Sequence, residues 1–170
     1  MTTAGIPARG EGPDRGGALP SSRRSARRRA REYALQGLYQ WLMAGGNVRD
    51  ITEQLATDAH FGRADAEYFR SLLGTAIAQC ESLDAVVVAA IDRPLAELAP
   101  VEHAILLLAT AELREQAATP YRVIVNEAIE LAKGYGGTDG YKYVNGVLDK
   151  IVRRLRVEEE KPRAKSPALR

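Results

Sequence analysis

The sequence predicts an all-α fold in one domain, and three observations support this prediction. Apolar residues recur at steps of three and four through most of the chain, and turn residues lie in the gaps between these runs. No segment shows the sustained alternation of apolar and polar residues that indicates a strand. The composition is 45% hydrophobic but only 6% aromatic, which suits helices that pack through aliphatic side chains.

Composition and charge divide the chain into three parts. Residues 1–22 are rich in glycine, proline, serine and arginine, and residues 158–170 also lack periodicity, so both are predicted to be disordered. Residues 23–157 form the predicted helical domain. Residues 1–31 carry a net charge of +6, whereas the remaining chain carries −4. A basic segment on a mildly acidic body predicts an anionic partner, and a polar partner for the body as well.

The first half of the domain should contain three helices. The first is predicted over residues 25–44, because two glycines and an asparagine follow it. A short helix should cover residues 49–59, and a longer one should run from about residue 63 toward residue 90. Asp92-Arg93-Pro94 then interrupts the pattern, and Pro94 should begin no more than a turn or two.

Proline marks the next two helix starts. Pro100 suits the first position of a helix that is apolar over most of its circumference and is therefore predicted to be central. Thr119 and Pro120 are predicted as N-cap and first residue of a helix that ends at Gly134. Thr138 should cap the last helix. Its apolar stripe recurs at alternating steps of three and four: Tyr141, Val144, Leu148, Ile151 and Leu155.

Groups that could support catalysis or bind metal are few. Glu127 and Glu130 lie three apart, but no histidine has the spacing of a carboxylate metal site, so we expect solvated or capping roles. The glycine-rich segment 134–140 follows a helix and lacks the lysine of a phosphate loop, which predicts a turn. Cys80 is the only cysteine and is expected to be a small core residue. The sequence therefore predicts no enzyme, no catalytic residues, no cofactor and no metal site.

The same features predict a cytoplasmic location. A single cysteine allows no internal disulfide, which is typical of a reducing compartment. The first 17 residues contain no apolar stretch like that of a signal peptide. The longest apolar run, residues 101–113, contains charged residues and is too short to span a bilayer. We therefore expect a soluble protein without a membrane partner.

The most charged part of the chain is residues 23–31, here called the arginine segment, with six arginines and no acid. On a helix, Arg24, Arg27, Arg28 and Arg31 would share one face. Like charges in such a run repel unless a polyanion neutralises them, and planar guanidinium groups bind phosphate bidentately and stack on bases. The alternative is a solvated, disordered tail. Because the segment leads directly into an amphipathic helix, we favour nucleic-acid binding.

A second candidate site lies at the start of the last helix. Asp139, Lys142, Tyr143 and Gly146 share the side opposite Leu148. Single-stranded RNA is typically bound by basic side chains together with aromatic rings on which bases stack. The alternative is a tyrosine that covers a neighbouring helix, and the spacing alone does not separate the two interpretations.

Three segments carry a resemblance to a known family. They are RRRAREYALQGLYQW at 27–41, ELAPVEHAILLLATAEL at 97–113 and TPYRVIVNEAIELAKGYGGTDGYKYVNGVLDKI at 119–151. Over about residues 24–156 the chain resembles the NusB antitermination factors. The resemblance implies two small helical bundles. It also implies a protein that binds single-stranded boxA RNA of ribosomal RNA transcripts together with NusE, a small-subunit ribosomal protein, within an RNA polymerase antitermination complex.

The resemblance also assigns roles to individual residues. RNA contacts are implied for the arginine-rich start and for the start of the last helix: Arg27, Arg28, Arg29, Arg31, Asp139, Lys142 and Tyr143. Tyr143 stands where the family often has phenylalanine. Tyr39 and Glu102 match positions associated with the NusE surface, and we expect Glu102 to lie away from the RNA contacts because it is distant from them in sequence. The family includes monomers and homodimers, so a homodimer stays open.

Two other interpretations compete with this one. The first is the related RNA-binding domain at the start of ribosomal RNA cytosine methyltransferases, which requires a following α/β domain for the methyl donor. The second is a helical adaptor whose arginine segment binds an acidic protein. The salt dependence and base preference of binding would distinguish the adaptor from an RNA-binding protein.

Overall fold

Seven α-helices make up the part of the chain that the computed structural model describes, residues 21–156. They are α1 (Ser21–Ala44), α2 (Val48–Ala56), α3 (Ala66–Ala78), α4 (Cys80–Val88), α5 (Pro100–Glu115), α6 (Tyr121–Tyr135) and α7 (Gly140–Leu155). Short 3-10 turns occur at Phe61–Arg63 and Leu95–Glu97. This range contains no strand, which confirms the predicted fold class. The predicted tail and residues 1–20 of the predicted extension lie outside the described residues.

The long third helix predicted over residues 63–90 is instead two helices. The backbone leaves the helical region at Gln79 (φ −108°, ψ 16°), and α3 and α4 are bent by 74° relative to each other. The bend turns Leu83 and Val87 of α4 into the core. Neither glycine nor proline stands at the break, so the sequence carries no signal for it. No single helix within residues 21–156 is long and apolar enough to cross a membrane.

The central position predicted for α5 is confirmed. All ten residues from Ala104 to Leu113 are buried, and the helix packs against α1, α3, α4, α6 and α7. Pro100 is its first residue, as expected. A helix surrounded in this way must be apolar on nearly every side, so a polar residue within it needs a partner from another helix.

Two groups of helices pack against the same central helix, α5. In the first, α1 packs closely against α3, where Gly37 leaves room for Leu73: a Cβ on Gly37 would lie 2.8 Å from Leu73 Cδ2. In the second, α6 and α7 pack on each other and on α5. The predicted stripe of α7 is confirmed, because Val144, Leu148 and Ile151 are fully buried. The arrangement agrees with two small bundles.

Two predicted caps differ from the structure by one residue. The N-cap of α6 is Pro120, with extended backbone (φ −56°, ψ 136°), instead of Thr119. The N-cap of α7 is Asp139 instead of Thr138, and neither helix has a side-chain hydrogen bond from its N-cap. The helix starts are therefore determined by backbone and packing more than by a capping hydroxyl.

Candidate nucleic-acid interface

The arginine segment forms the first turns of α1 and is held to the body through buried charges. Arg31 is only 5% exposed, and its Nε lies 3.0 and 3.1 Å from the two carboxylate oxygens of Glu112 on α5. The Tyr68 hydroxyl donates to the same carboxylate. Burial by itself lowers the pKa of Arg31, but the hydrogen bonds and charge of Glu112 outweigh it and the net shift is upward. Arg31 is therefore a charged residue of the interior and does not offer its guanidinium to a phosphate.

Arg28 has a second buried acid as its partner. Its Nη2 and Nε lie 2.9 and 3.1 Å from the two oxygens of Glu127, which is 7% exposed on α6. Glu127 also lies 4.0 Å from Arg31. The predicted solvated or capping role of Glu127 is therefore wrong. Glu130 keeps a partly exposed position and pairs with Lys133 at 3.8 Å.

The other arginines of the segment differ in exposure. The Arg27 guanidinium lies 4.9 Å from the ring centroid of Tyr68, and its Nε is buried without a hydrogen-bond partner among residues 21–156. Arg24 and Arg29 are half-buried, and Arg23 is exposed. The face predicted to point toward a ligand is thus largely the face that packs on α3, α5 and α6. Sequence reasoning missed this because the acids lie 81 and 99 residues further along the chain.

The structure brings Asp139, Lys142 and Tyr143 together at the start of α7, here called the α7 surface. The side chains of Lys142 and Asp139 are 65% and 75% exposed, and Lys142 Nζ lies 3.3 Å from Asp139 Oδ1. Tyr143 is half-buried and packs against the edge of the core. An exposed lysine that pairs with Asp139 and a half-buried tyrosine are therefore consecutive residues on this surface.

Tyr143 also has partners that the sequence did not reveal. The Arg93 guanidinium, in the loop between α4 and α5, lies 4.4 Å from the centre of the Tyr143 ring. Asp92 Oδ1 accepts hydrogen bonds from Arg93 Nε at 3.0 Å and from the Tyr143 hydroxyl at 3.3 Å. The pKa of Tyr143 is raised, mainly by burial; Asp92 adds to the rise and Arg93 opposes it. The hydrogen bond from Arg93 lowers the pKa of Asp92. The sequence identified Asp92-Arg93-Pro94 only as a helix break.

Glu102 lies beside the α7 surface, which contradicts the expectation that it is remote from the RNA contacts. Its half-buried carboxylate sits against Gly140, and a Cβ at Gly140 would overlap Glu102 Oε1. Gly140 follows Asp139 directly and begins α7. The carboxylate is thus near the positive end of the α7 dipole as well as that of its own helix. Tyr39, the other predicted partner residue, is half-buried on α1.

The remaining reactive side chains form a small polar contact between α4 and α5. His103 Nε2 lies 2.6 Å from Asp84 Oδ1, and Cys80 Sγ lies 3.8 Å from Asp84 Oδ2. Burial, with a contribution from Asp84, raises the pKa of the Cys80 thiol to about 11. The thiol is therefore protonated at neutral pH and a poor nucleophile. Within residues 21–156 no three side chains are arranged to hold a metal ion.

These features define a small all-α protein with an arginine-bearing first helix and a surface of charged and aromatic side chains at the start of its last helix. Comparison with known proteins agrees with this description. The model of the NusB family matches residues 28–153. The chain belongs to the NusB family.

The relatives and solved structures support this assignment. The transcription antitermination protein NusB of Aromatoleum aromaticum is 54% identical over 138 residues, which cover 81% of this chain and 95% of the relative. NusB from T. maritima has a TM-score of 0.66 at 28% identity, covering 74% of this chain and 89% of that one. A structure of the antitermination factors NusB and NusE with double-stranded RNA has a TM-score of 0.67 at 24% identity, covering 80% and 99%, and shows the shared fold.

Proposed function

We propose that this chain is a transcription antitermination factor that acts by binding and not by catalysis. Its ligands are single-stranded boxA-type RNA of ribosomal RNA transcripts and NusE, and the assembly joins the RNA polymerase antitermination complex. Family membership and the name of the 54% identical relative support antitermination. The observation that carries RNA binding is the arginine segment, ordered as part of α1 and anchored to the body by two buried acids.

Arg31 serves only as an anchor of α1, whereas Arg28 has both an anchoring and a ligand-binding role. Arg31 and Arg28 hold the start of α1 in place through Glu112 and Glu127, so the flanking arginines are presented on a rigid helix. Fixing charged side chains before binding reduces the entropy lost when the complex forms. We assign direct phosphate contacts to Arg24, Arg27 and Arg29, and to Arg28 on its exposed side, since 29% of its side chain is accessible.

The α7 surface supplies the second RNA contact. Lys142 is exposed, which suits a phosphate, whereas the half-buried ring at Tyr143 suits a base. Asp139 neutralises part of the charge of Lys142 and can accept a hydrogen bond from a base edge or a ribose hydroxyl. An RNA that reaches both surfaces would be bound through its phosphates at the arginine segment and through a phosphate and a base at the α7 surface.

NusE binding is assigned to Tyr39 and Glu102, and the acidic character of the body suits a basic ribosomal protein. Because Glu102 adjoins Gly140, the partner surface and the α7 surface share a border. Replacing Glu102 with lysine should therefore change RNA binding by the chain alone as well as NusE binding. A homodimer that buries part of this region would compete with NusE.

The experiment is a titration of the full chain with a short boxA RNA and a scrambled RNA at several salt concentrations, with and without NusE. About four phosphate contacts from α1 and one from Lys142 predict a slope of log affinity against log salt of about −3.5, at about −0.7 per phosphate. The double variant Arg24→Ala, Arg29→Ala should flatten the slope. Arg49→Ala, which removes one positive charge away from α1, is the control, because Arg49 is 82% exposed on α2. Equal binding of both RNAs, or an unchanged slope in the double variant, would overturn the proposal.

A further inference from the structure

One face of the aromatic ring at the α7 surface is not open. The guanidinium of Arg93 lies over this face, at 4.4 Å from the ring centre, and Arg93 Nε also donates a hydrogen bond to Asp92 Oδ1. A base could stack directly on this side of Tyr143 only after Arg93 had been displaced from both the ring and the carboxylate. In this structure, that face of the Tyr143 ring is therefore not available to a stacked base.

Arg93 has the properties of a stacking platform itself. Its guanidinium is planar, the guanidinium carbon lies 4.4 Å from the Tyr143 ring centre, and 44% of the side chain is exposed. Bases stack on guanidinium planes as they do on aromatic rings. The hydrogen bond from Arg93 Nε to Asp92 fixes the orientation of the plane, and the same hydrogen bond raises the pKa of Arg93.

We propose that Arg93 is a base-contacting residue of this protein. A base of single-stranded RNA stacks on the outer side of the Arg93 guanidinium, and Tyr143 supports its inner side. Asp92 is a positioning residue, because it binds both Arg93 and the Tyr143 hydroxyl. Lys142, in the first turn of α7, neutralises a phosphate of the same strand. This inference rests on the proposed RNA binding and identifies the residue that performs it at the α7 surface.

The substitution Arg93→Lys separates the contribution of the positive charge from that of the planar guanidinium. Arg93→Lys keeps the positive charge, so the salt slope of RNA binding should stay unchanged. The variant lacks the planar guanidinium on which a base would stack. The affinity of the full chain for a short single-stranded boxA RNA should therefore fall by about fivefold or more, as expected for one stacked base. Arg93→Ala should lose at least as much affinity, because it removes the planar group and the charge together. Arg49→Lys, on the exposed side of α2, is the matched control and should bind like the wild type.

RNAs that each lack one base provide the second readout. An abasic nucleotide at the contacting position should remove the affinity difference between wild type and Arg93→Lys, whereas abasic nucleotides elsewhere should preserve it. A purely structural role of Arg93 would not depend on a single base, and melting curves of each variant monitor folding.

The outcomes separate the two proposals. Absence of wild-type binding to any RNA would remove the proposed function itself. If the wild type binds and both Arg93 variants bind equally well or more tightly, Arg93 is a bystander or a cover that RNA must displace, and the inference is overturned. The inference also fails if the affinity lost in Arg93→Lys is the same for every abasic RNA.

Discussion

Replacing Glu112 with glutamine removes the charge of a carboxylate that is 3% exposed without leaving a cavity. The change leaves the Arg31 side chain, itself 6% exposed, with Glu127 at 4.0 Å as its remaining carboxylate. It also turns one acceptor of the Arg31 and Tyr68 hydrogen bonds into an N–H donor. Breaking a buried ion pair from one side costs about 3–5 kcal/mol. Because Glu127 partly compensates, we expect the lower end, about 3 kcal/mol in the free energy of unfolding.

Urea unfolding followed by circular dichroism measures this loss, and a fall in Tm of about 10 °C should accompany it. Glu53→Gln is the matched control, since it changes net charge equally but breaks an exposed pair with Arg49 at 3.1 Å. An exposed pair of this kind contributes less than about 0.5 kcal/mol. Equal losses in the two variants would refute the buried-pair argument. Replacing both partners, as Arg31→Met with Glu112→Leu, should cost less than the sum of the single changes.

Three further predictions concern other residues. Burial, and then neighbouring carboxylates, raise the pKa of Tyr33 and Tyr68. At a pH above about 10 these hydroxyls ionise in the unfolded chain but stay protonated in the folded protein. The free energy of unfolding should therefore fall as the pH rises above about 10. Tyr33→Phe and Tyr68→Phe should flatten that fall in melting curves, and an unchanged pH dependence would contradict the assignment. Gly140→Ala should destabilise by about 1 kcal/mol through overlap with Glu102, and a Glu102→Ala background should abolish the loss in a double-mutant cycle. Cys80, with a thiol pKa of about 11, should be alkylated about 100-fold more slowly in the folded chain than in urea at pH about 8; similar rates would show an accessible thiolate.

Local sequence signals determined most of the secondary structure. Pro100 begins α5, the spacing of Val144, Leu148 and Ile151 gives α7 its buried stripe, and the two glycines after Ala44 end α1. Both glycines have positive φ (68° and 112°), a conformation that other residues rarely adopt. Each signal depends on residues within a few positions of one another, so it can be recognised before the tertiary structure is known. The break at Gln79 has no such signal and was missed.

The sequence by itself also determined that the chain carries an arginine segment and that a lysine and two tyrosines begin its last helix. Only the tertiary structure decided what those residues contact. Arg31 is an interior charge because it pairs with Glu112 on α5, 81 residues away. Tyr143 is covered by Arg93 from a loop 50 residues earlier, and Glu102 reaches α7 because Gly140 has no side chain. Helical periodicity fixes which residues share a face, but the partner of that face depends on contacts between segments far apart in the chain. A buried charge must find such a partner, whereas the same charge in water need not.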